Sequence, residues 1–167
     1  MTRLTGRALI LGHDVNTDEL HPSRFYSLND QTVLKGFLGA VPGRLSTSSD
    51  QASGPLIVIA GHNFGCGSSR ETGARVFELA GVKAVVAASF ARIFQRNLVN
   101  LGLPALTCPA LGNGTLTTLK EGQETTIDSA GHTLNVGQTT LPLSPMDPLH
   151  KSILDAGGLM AYLGLSQ

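Results

Sequence analysis

The chain has little cysteine, little charge and no long apolar run, and each shortage narrows what it can be. Two cysteines in 167 residues, Cys66 and Cys108, make neither a disulfide framework nor a paired metal motif. Charged residues make up 14%, against about 25% in an average globular chain. Twelve basic residues balance twelve acidic ones, so there is no basic excess to hold nucleic acid or an anionic membrane. A surface so poor in charge is compatible with cover by another subunit. No stretch approaches the roughly 18 apolar residues of a membrane span, and the N-terminus lacks a charged start followed by an apolar run. The expectation is a soluble cytoplasmic protein. Its length suits one domain over 1–167, without internal repeats or low-complexity tracts.

What the chain does have is concentrated in Ala60-Gly61-His62-Asn63-Phe64-Gly65-Cys66-Gly67-Ser68-Ser69-Arg70-Glu71. The apolar run Leu56–Ala60 before it reads as a buried strand, and Ala74, Phe77 and Ala80 behind it mark a helix stopped at Gly81. Gly61, Gly65 and Gly67 let the backbone turn sharply or approach a ligand closely. Ser68 with Glu71 three residues on spells a capping box, which predicts a helix N-terminus at the serines. Such a terminus suits an anion, and Arg70 adds a fork of donors that fits a carboxylate or phosphate. Three familiar motifs fail here. A Walker A loop from Gly61 meets Cys66 and Gly67 where Gly and Lys are needed. The dinucleotide fingerprint from Gly65 meets Arg70, and a nucleophile elbow around Ser69 meets Glu71. A capped strand-to-helix turn without chemistry remains the alternative.

Around this centre, Ala8–Leu11 predicts a short strand, followed by the polar loop Asp14-Val15-Asn16-Thr17-Asp18. Asp14 and Asp18 could be half of a divalent-cation site, but no third carboxylate stands at ligand spacing. His21–Asp30 is a second polar segment, Thr32–Ala40 a candidate helix, and 43–55 a Ser-, Gly- and Pro-rich loop expected to be mobile. Lys83–Ala88 reads as another buried strand. Ser89 is placed as the N-cap of a helix carrying Phe90, Ile93, Phe94, Leu98 and Leu101, with Gly102 as its stop. Strand, helix, strand, helix, strand over 56–107 predicts two right-handed crossovers on a parallel sheet. Arg92, Arg96 and Asn97 fall on that helix's polar side, either solvated or framing a pocket or subunit contact. Further on, Thr115–Thr117, Glu124–Asp128 and His132–Val136 read as antiparallel strands, and Asp147–Ala156 as a closing helix ended by Gly157-Gly158. The sum is an α/β fold with parallel strand–helix units and a barrel-like β portion.

The central stretch resembles the signature of the aconitase-type hydro-lyases, and within them the isopropylmalate dehydratase small subunits. The likeness includes Gly6-Arg7-Ala8, then Asn16-Thr17-Asp18-Glu19-Leu20-His21-Pro22, Ala88-Ser89-Phe90-Ala91-Arg92-Ile93-Phe94-Gln95-Arg96-Asn97 and Gly102-Leu103-Pro104. These blocks keep the family's order and spacing over roughly the first hundred residues. The resemblance implies a swivelling β/β/α domain. It places Thr17 and Asp18 in the active site, makes Ser68 an alkoxide base, and has Ser69 and Arg70 hold a substrate carboxylate. It also implies that the loop around Arg24, Phe25, Tyr26, Ser27 and Leu28 meets the substrate's γ-substituent. An uncharged lining at 25–28 favours an alkyl group over an extra carboxylate. The family's usual His after Glu71 is absent, with Thr72-Gly73 in its place.

Moving a hydroxyl along a malate-type acid needs a base for the Cα proton, a Lewis acid for the hydroxyl and cationic donors for the carboxylates. This chain has no Lewis acid of its own, because an iron–sulfur cluster needs three or four thiolates. The expectation is a 4Fe–4S cluster on a partner large subunit, no cofactor bound by this chain, and a hydroxy-dicarboxylic acid at the interface. Isopropylmalate is the default substrate; citramalate, dimethylmalate and homocitrate dehydratases share the architecture. Two other readings stay open. Cys66 could act as a thiol nucleophile with His13 or His62 as base, or the chain could be a non-catalytic anion-binding assembly subunit. His62 and Cys66 as zinc ligands lack two further partners.

Overall fold

A computed structural model describes residues 3–41, 54–67 and 71–165. Within them the sheet has seven strands: β1 (Arg3–Ile10), β2 (Leu56–Ala60), β3 (Val82–Ala87), β4 (Ala105–Thr107), β5 (Glu124–Asp128), β6 (Thr133–Val136) and β7 (Thr139–Pro142). Their spatial order is β4-β3-β2-β1-β5-β6-β7. The first four are mutually parallel, while β1–β5, β5–β6 and β6–β7 are antiparallel. Two helical crossovers join parallel strands: α3 (Glu71–Leu79) joins β2 to β3, and α4 (Arg92–Asn100) joins β3 to β4.

Every residue of β2 is buried, so its side chains divide between two cores. Leu56, Val58 and Ala60 face a helix-covered core with Phe64, Phe77, Phe94 and Leu98. Ile57 and Ile59 point the other way, into an aliphatic core with Val86, Leu106, Ile127, Leu134 and Leu141. That second core lies inside the curl of the sheet. The chain leaving β7 returns to β4, where the Ser144 amide donates to the Thr107 carbonyl at 2.8 Å. This contact draws the chain after β7 back to the opposite edge of the sheet.

Helix ends follow the expected chemistry in most places. Gly102 has φ +81°, and the Leu103 amide bonds the Leu98 carbonyl at 2.9 Å, a Schellman closure of α4. Asp147 caps α5 (Pro148–Ala156), which ends at Gly157 with φ +91°. A short α6 (Leu159–Tyr162) follows. Between β1 and β2 lie α1 (Thr17–Leu20) and α2 (Asp30–Leu34).

Three expectations are corrected. Thr115–Thr118 is a 3-10 turn, in which the Thr117 and Thr118 hydroxyls each donate to the carbonyl three residues back. Ser89 does not cap α4; Ala91 holds that position without a side-chain bond. The helix foreseen over 32–40 begins at Asp30 and ends at Leu34, and Leu38 adopts a left-handed φ of +55°. Most of segment 43–55 lies outside the described residues, as do Ser68, Ser69 and Arg70.

Candidate functional site

β1 and β2 end side by side, and the chain leaving each continues the parallel pairing beyond the sheet. Leu11 N–H donates to Ile59 O at 2.8 Å and Gly61 N–H to Gly12 O at 3.0 Å. Asp14 N–H then bonds His62 O, Gly65 N–H bonds Val15 O, and Thr17 N–H bonds Cys66 O, all within 2.9 Å. On the other side, Phe64 N–H donates to Ser89 O and Ala91 N–H to Phe64 O. The strips 12–17, 61–67 and 89–91 therefore keep the order of β1, β2 and β3. Two segments 50 residues apart in sequence thus meet at the carboxyl edge of a parallel sheet, where α/β proteins place their ligands.

Phe64 anchors the glycine-rich turn. It is fully buried, with edge-on contacts to Phe77, Phe90 and Phe94 at ring-centroid distances of 5.7–6.3 Å. Gly65 beside it has φ +75°, and a Cβ there would come within 2.1 Å of the Phe94 ring. Gly67 has φ +98°, and a Cβ there would lie 3.3 Å from Thr17 Oγ1. The turn thus brings the backbone against Thr17 one residue before Ser68.

Thr17 is buried at the first turn of α1, and Asp18 next to it is exposed. Asn16 caps this helix. Its side chain accepts from the Asp18 and Glu19 amides at 2.9 and 3.0 Å, and Glu19 accepts the Asn16 N–H at 2.8 Å. What reads as a loose polar loop is a capping box, and Asn followed three residues later by Glu was its signal in the sequence. Asn63 is a further frame residue that sequence reasoning passes over. Its amide nitrogen donates to Asp14 Oδ1 at 3.0 Å, and its backbone N–H donates to Ser89 Oγ at 2.9 Å. The Ser89 hydroxyl therefore braces the turn.

His13 and His62 stack with centroids 5.4 Å apart, and the His62 N–H donates to His13 Nδ1 at 3.0 Å. Cys66 Sγ lies 3.4 Å from the Asp14 carbonyl. Among the described residues neither histidine hydrogen-bonds Cys66, so the thiol has no base beside it. Cys108 is sealed in the barrel core, where burial pushes its thiol up, only partly offset by the Leu111 and Ala110 amides. Among the described residues no three His, Cys, Asp or Glu side chains gather to hold a metal ion. With one cysteine half-buried at the site and the other inaccessible, this donor set does not fit an iron–sulfur cluster.

The residues 24–28 have different partners and exposures. Arg24 donates to the Gly39 carbonyl at 3.3 Å and lies over the Phe25 ring at 4.8 Å. Phe25 and Tyr26 are half-buried, Tyr26 stacking on His21 at 5.3 Å. Ser27 accepts the Asn29 N–H at 3.0 Å. Leu28 is 95% exposed. A cavity of about 200 Å³ lies elsewhere, lined by Gln95, Thr107, Ser144, Met146, Asp147 and His150, none of them from α1 or the turn.

The profile of the aconitase C-terminal domain matches residues 21–111. The 3-isopropylmalate dehydratase small subunit of Moorella thermoacetica is 37% identical over 171 residues, covering 96% of this chain and 94% of the relative. That of Pyrobaculum calidifontis is also 37% identical, with 96% of each chain covered. The crystal structure of 3-isopropylmalate dehydratase from Methanocaldococcus jannaschii superposes with a TM-score of 0.83 at 30% identity, covering 97% of this chain and 93% of that one.

Proposed function

The chain belongs to the aconitase-type hydro-lyase family of 3-isopropylmalate dehydratase small subunits, and from that premise we propose that it interconverts 2- and 3-isopropylmalate together with a large subunit. In this reading a 4Fe–4S cluster belongs to the large subunit, and the present chain supplies the proton acceptor and the carboxylate grip. One observation carries the proposal. The Thr17–Asp18 turn and the glycine-rich turn, remote in sequence, are hydrogen-bonded into one strip whose next residue is Ser68.

Ser68 is assigned as the base that removes the Cα proton. Its hydroxyl is ordinarily far too weakly acidic, and backbone N–H donors are what would stabilise an alkoxide there. Ser69 and Arg70 are assigned to a substrate carboxylate, Arg70 through its planar fork of donors. Thr17 and Asp18 complete the polar wall, Thr17 being held rigid by burial and by its amide's bond to Cys66. In the loop 24–28, Leu28 is almost fully exposed, an apolar group suited to an alkyl substituent. Arg24 is engaged on the Gly39 carbonyl and the Phe25 ring, so it is a poor candidate for a second carboxylate.

The test is Ser68→Ala in the complex reconstituted with its large subunit. Loss of the base should lower kcat by about 10²–10⁴-fold or more, with substrate binding retained. Near-normal turnover would remove Ser68 from the mechanism. A panel of citramalate, dimethylmalate and homocitrate beside isopropylmalate fixes the substrate, and isopropylmalate should give the highest kcat/KM.

A further inference from the structure

His21 is fully buried, the largest ionisable side chain in the interior among the described residues, and the chemistry above makes no use of it. It occupies a junction. Its backbone N–H closes α1 by donating to the Thr17 carbonyl at 2.9 Å. Its Nε2 lies 3.1 Å from the Val33 carbonyl of α2, a contact that requires a proton on Nε2. Its ring stacks on Tyr26. It also presses on Gly36, where a Cβ would fall 2.5 Å from His21 Cδ2. One residue thus touches the Thr17 helix, the helix after the loop, and the loop itself.

We propose that His21 is the positioning residue that fixes loop 22–29 against the Thr17 turn, acting as a neutral Nε2–H strut to Val33 and a platform for Tyr26. Charged neighbours do not contribute. On α1, Glu19 is engaged by the Asn16 amide and Asp18 is exposed. On the loop, Arg24 is held at Gly39 and Tyr26 contributes its ring face. On α2, Asp30 pairs with Arg75, and Lys35 beyond it is exposed. His21 Nδ1 is buried with no hydrogen-bond partner among the described residues. A proton placed there would have nothing to receive it, so the strut works only as the neutral ring. Burial accordingly lowers the His21 pKa, the Val33 bond offsetting part of the effect.

The consequence for catalysis rests on the reading that loop 24–28 faces the substrate, so the experiment separates the two. His21→Leu keeps apolar bulk and removes the donor; His21→Gln places an amide N–H near the former Nε2. Backbone amide exchange over residues 22–29 is followed in the full chain, and KM and kcat in the reconstituted enzyme. The Leu variant should exchange faster at 22–29 and raise KM about fivefold, the size of one hydrogen bond's net contribution, with kcat held; the Gln variant should recover most of both. Unchanged exchange at 22–29 in the Leu variant overturns the proposal, and so does an equal loss with Gln. Faster exchange with an unchanged KM upholds the strut and removes the loop from the substrate site. Should the Leu variant fail to fold, the wild-type chain still decides. Nitrogen chemical shifts of the five histidines must show one ring still in the neutral Nε2–H form as the pH falls through the usual 6.5; its protonation at or above 6.5 overturns the proposal.

Discussion

Strands β1 to β4 run parallel and release their chain at one edge, where 12–17, 61–67 and 89–91 go on pairing. Strands β5 to β7 instead turn back through short hairpins. There Asp128 accepts the Ala130 and Gly131 amides at 3.0 Å, and Gly137 with φ +57° makes the next reversal. No candidate site residue comes from these hairpins. The difference lies in the connections. A parallel strand needs a long crossover to return, which leaves a loop free at its carboxyl end, whereas a hairpin consumes its loop in the reversal. The candidate site residues therefore fall on the parallel half, and the antiparallel half closes the aliphatic core.

The sharpest way to break this division is a pair of core truncations. Phe64→Ala should cost roughly 3–5 kcal/mol, because it empties the junction of Phe77, Phe90 and Phe94. Turnover in the reconstituted enzyme should fall with it, since the turn loses its anchor. Ile127→Ala on β5 should cost roughly 2–4 kcal/mol in urea unfolding, yet leave kcat of the folded enzyme unchanged. Equal losses of kcat in both would end the separation. Acid gives a smaller effect confined to the parallel half. The His21 pKa lies below the usual 6.5 when folded, so above that pH neither state binds the proton. As the pH falls through 6.5 the unfolded chain is protonated first, and stability declines until the folded pKa is passed. Urea midpoints measured from pH 8 to 5 should show this decline in the wild type and less of it in His21→Leu. The smallest effect belongs to α5, where Lys151 holds the exposed Asp155 carboxyl below its ordinary range. Asp155→Asn should leave the unfolding midpoint within error, as expected of a solvated pair.

How much of this was legible in the sequence follows the same line. Leu56–Ala60 and Ala84–Ala87 stand out as apolar runs because both of their faces are buried, and the glycines at 81 and 102 mark helix ends through backbone geometry alone. β7 does not stand out. Thr139-Thr140-Leu141-Pro142 is short and ends in a residue that lacks an N–H, which an edge strand tolerates and a central one does not. Thr115–Thr118 has strand composition, but its hydroxyls satisfy local carbonyls and tighten it into a turn. At the site, the glycines and the capping pair Asn16 and Glu19 are local signals that sequence can show. That Ser89 braces Asn63, that Phe64 is an anchor and that His21 is a strut depend on partners 12 to 30 residues away. Helical spacing groups Ile93 with Phe94 and Leu98, yet Ile93 is 59% exposed, since spacing identifies a stripe but not its edge.

The ladder between 11–17 and 59–66 is made of amides and carbonyls, so apart from Gly61, Phe64 and Gly65, which close packing fixes, its contacts do not depend on which side chains the two segments carry. A chain built this way can exchange exposed residues along either rim while the scaffold that presents Thr17 stays where it is. Divergence toward new acids would then proceed by redecoration, with the architecture of the rim inherited intact.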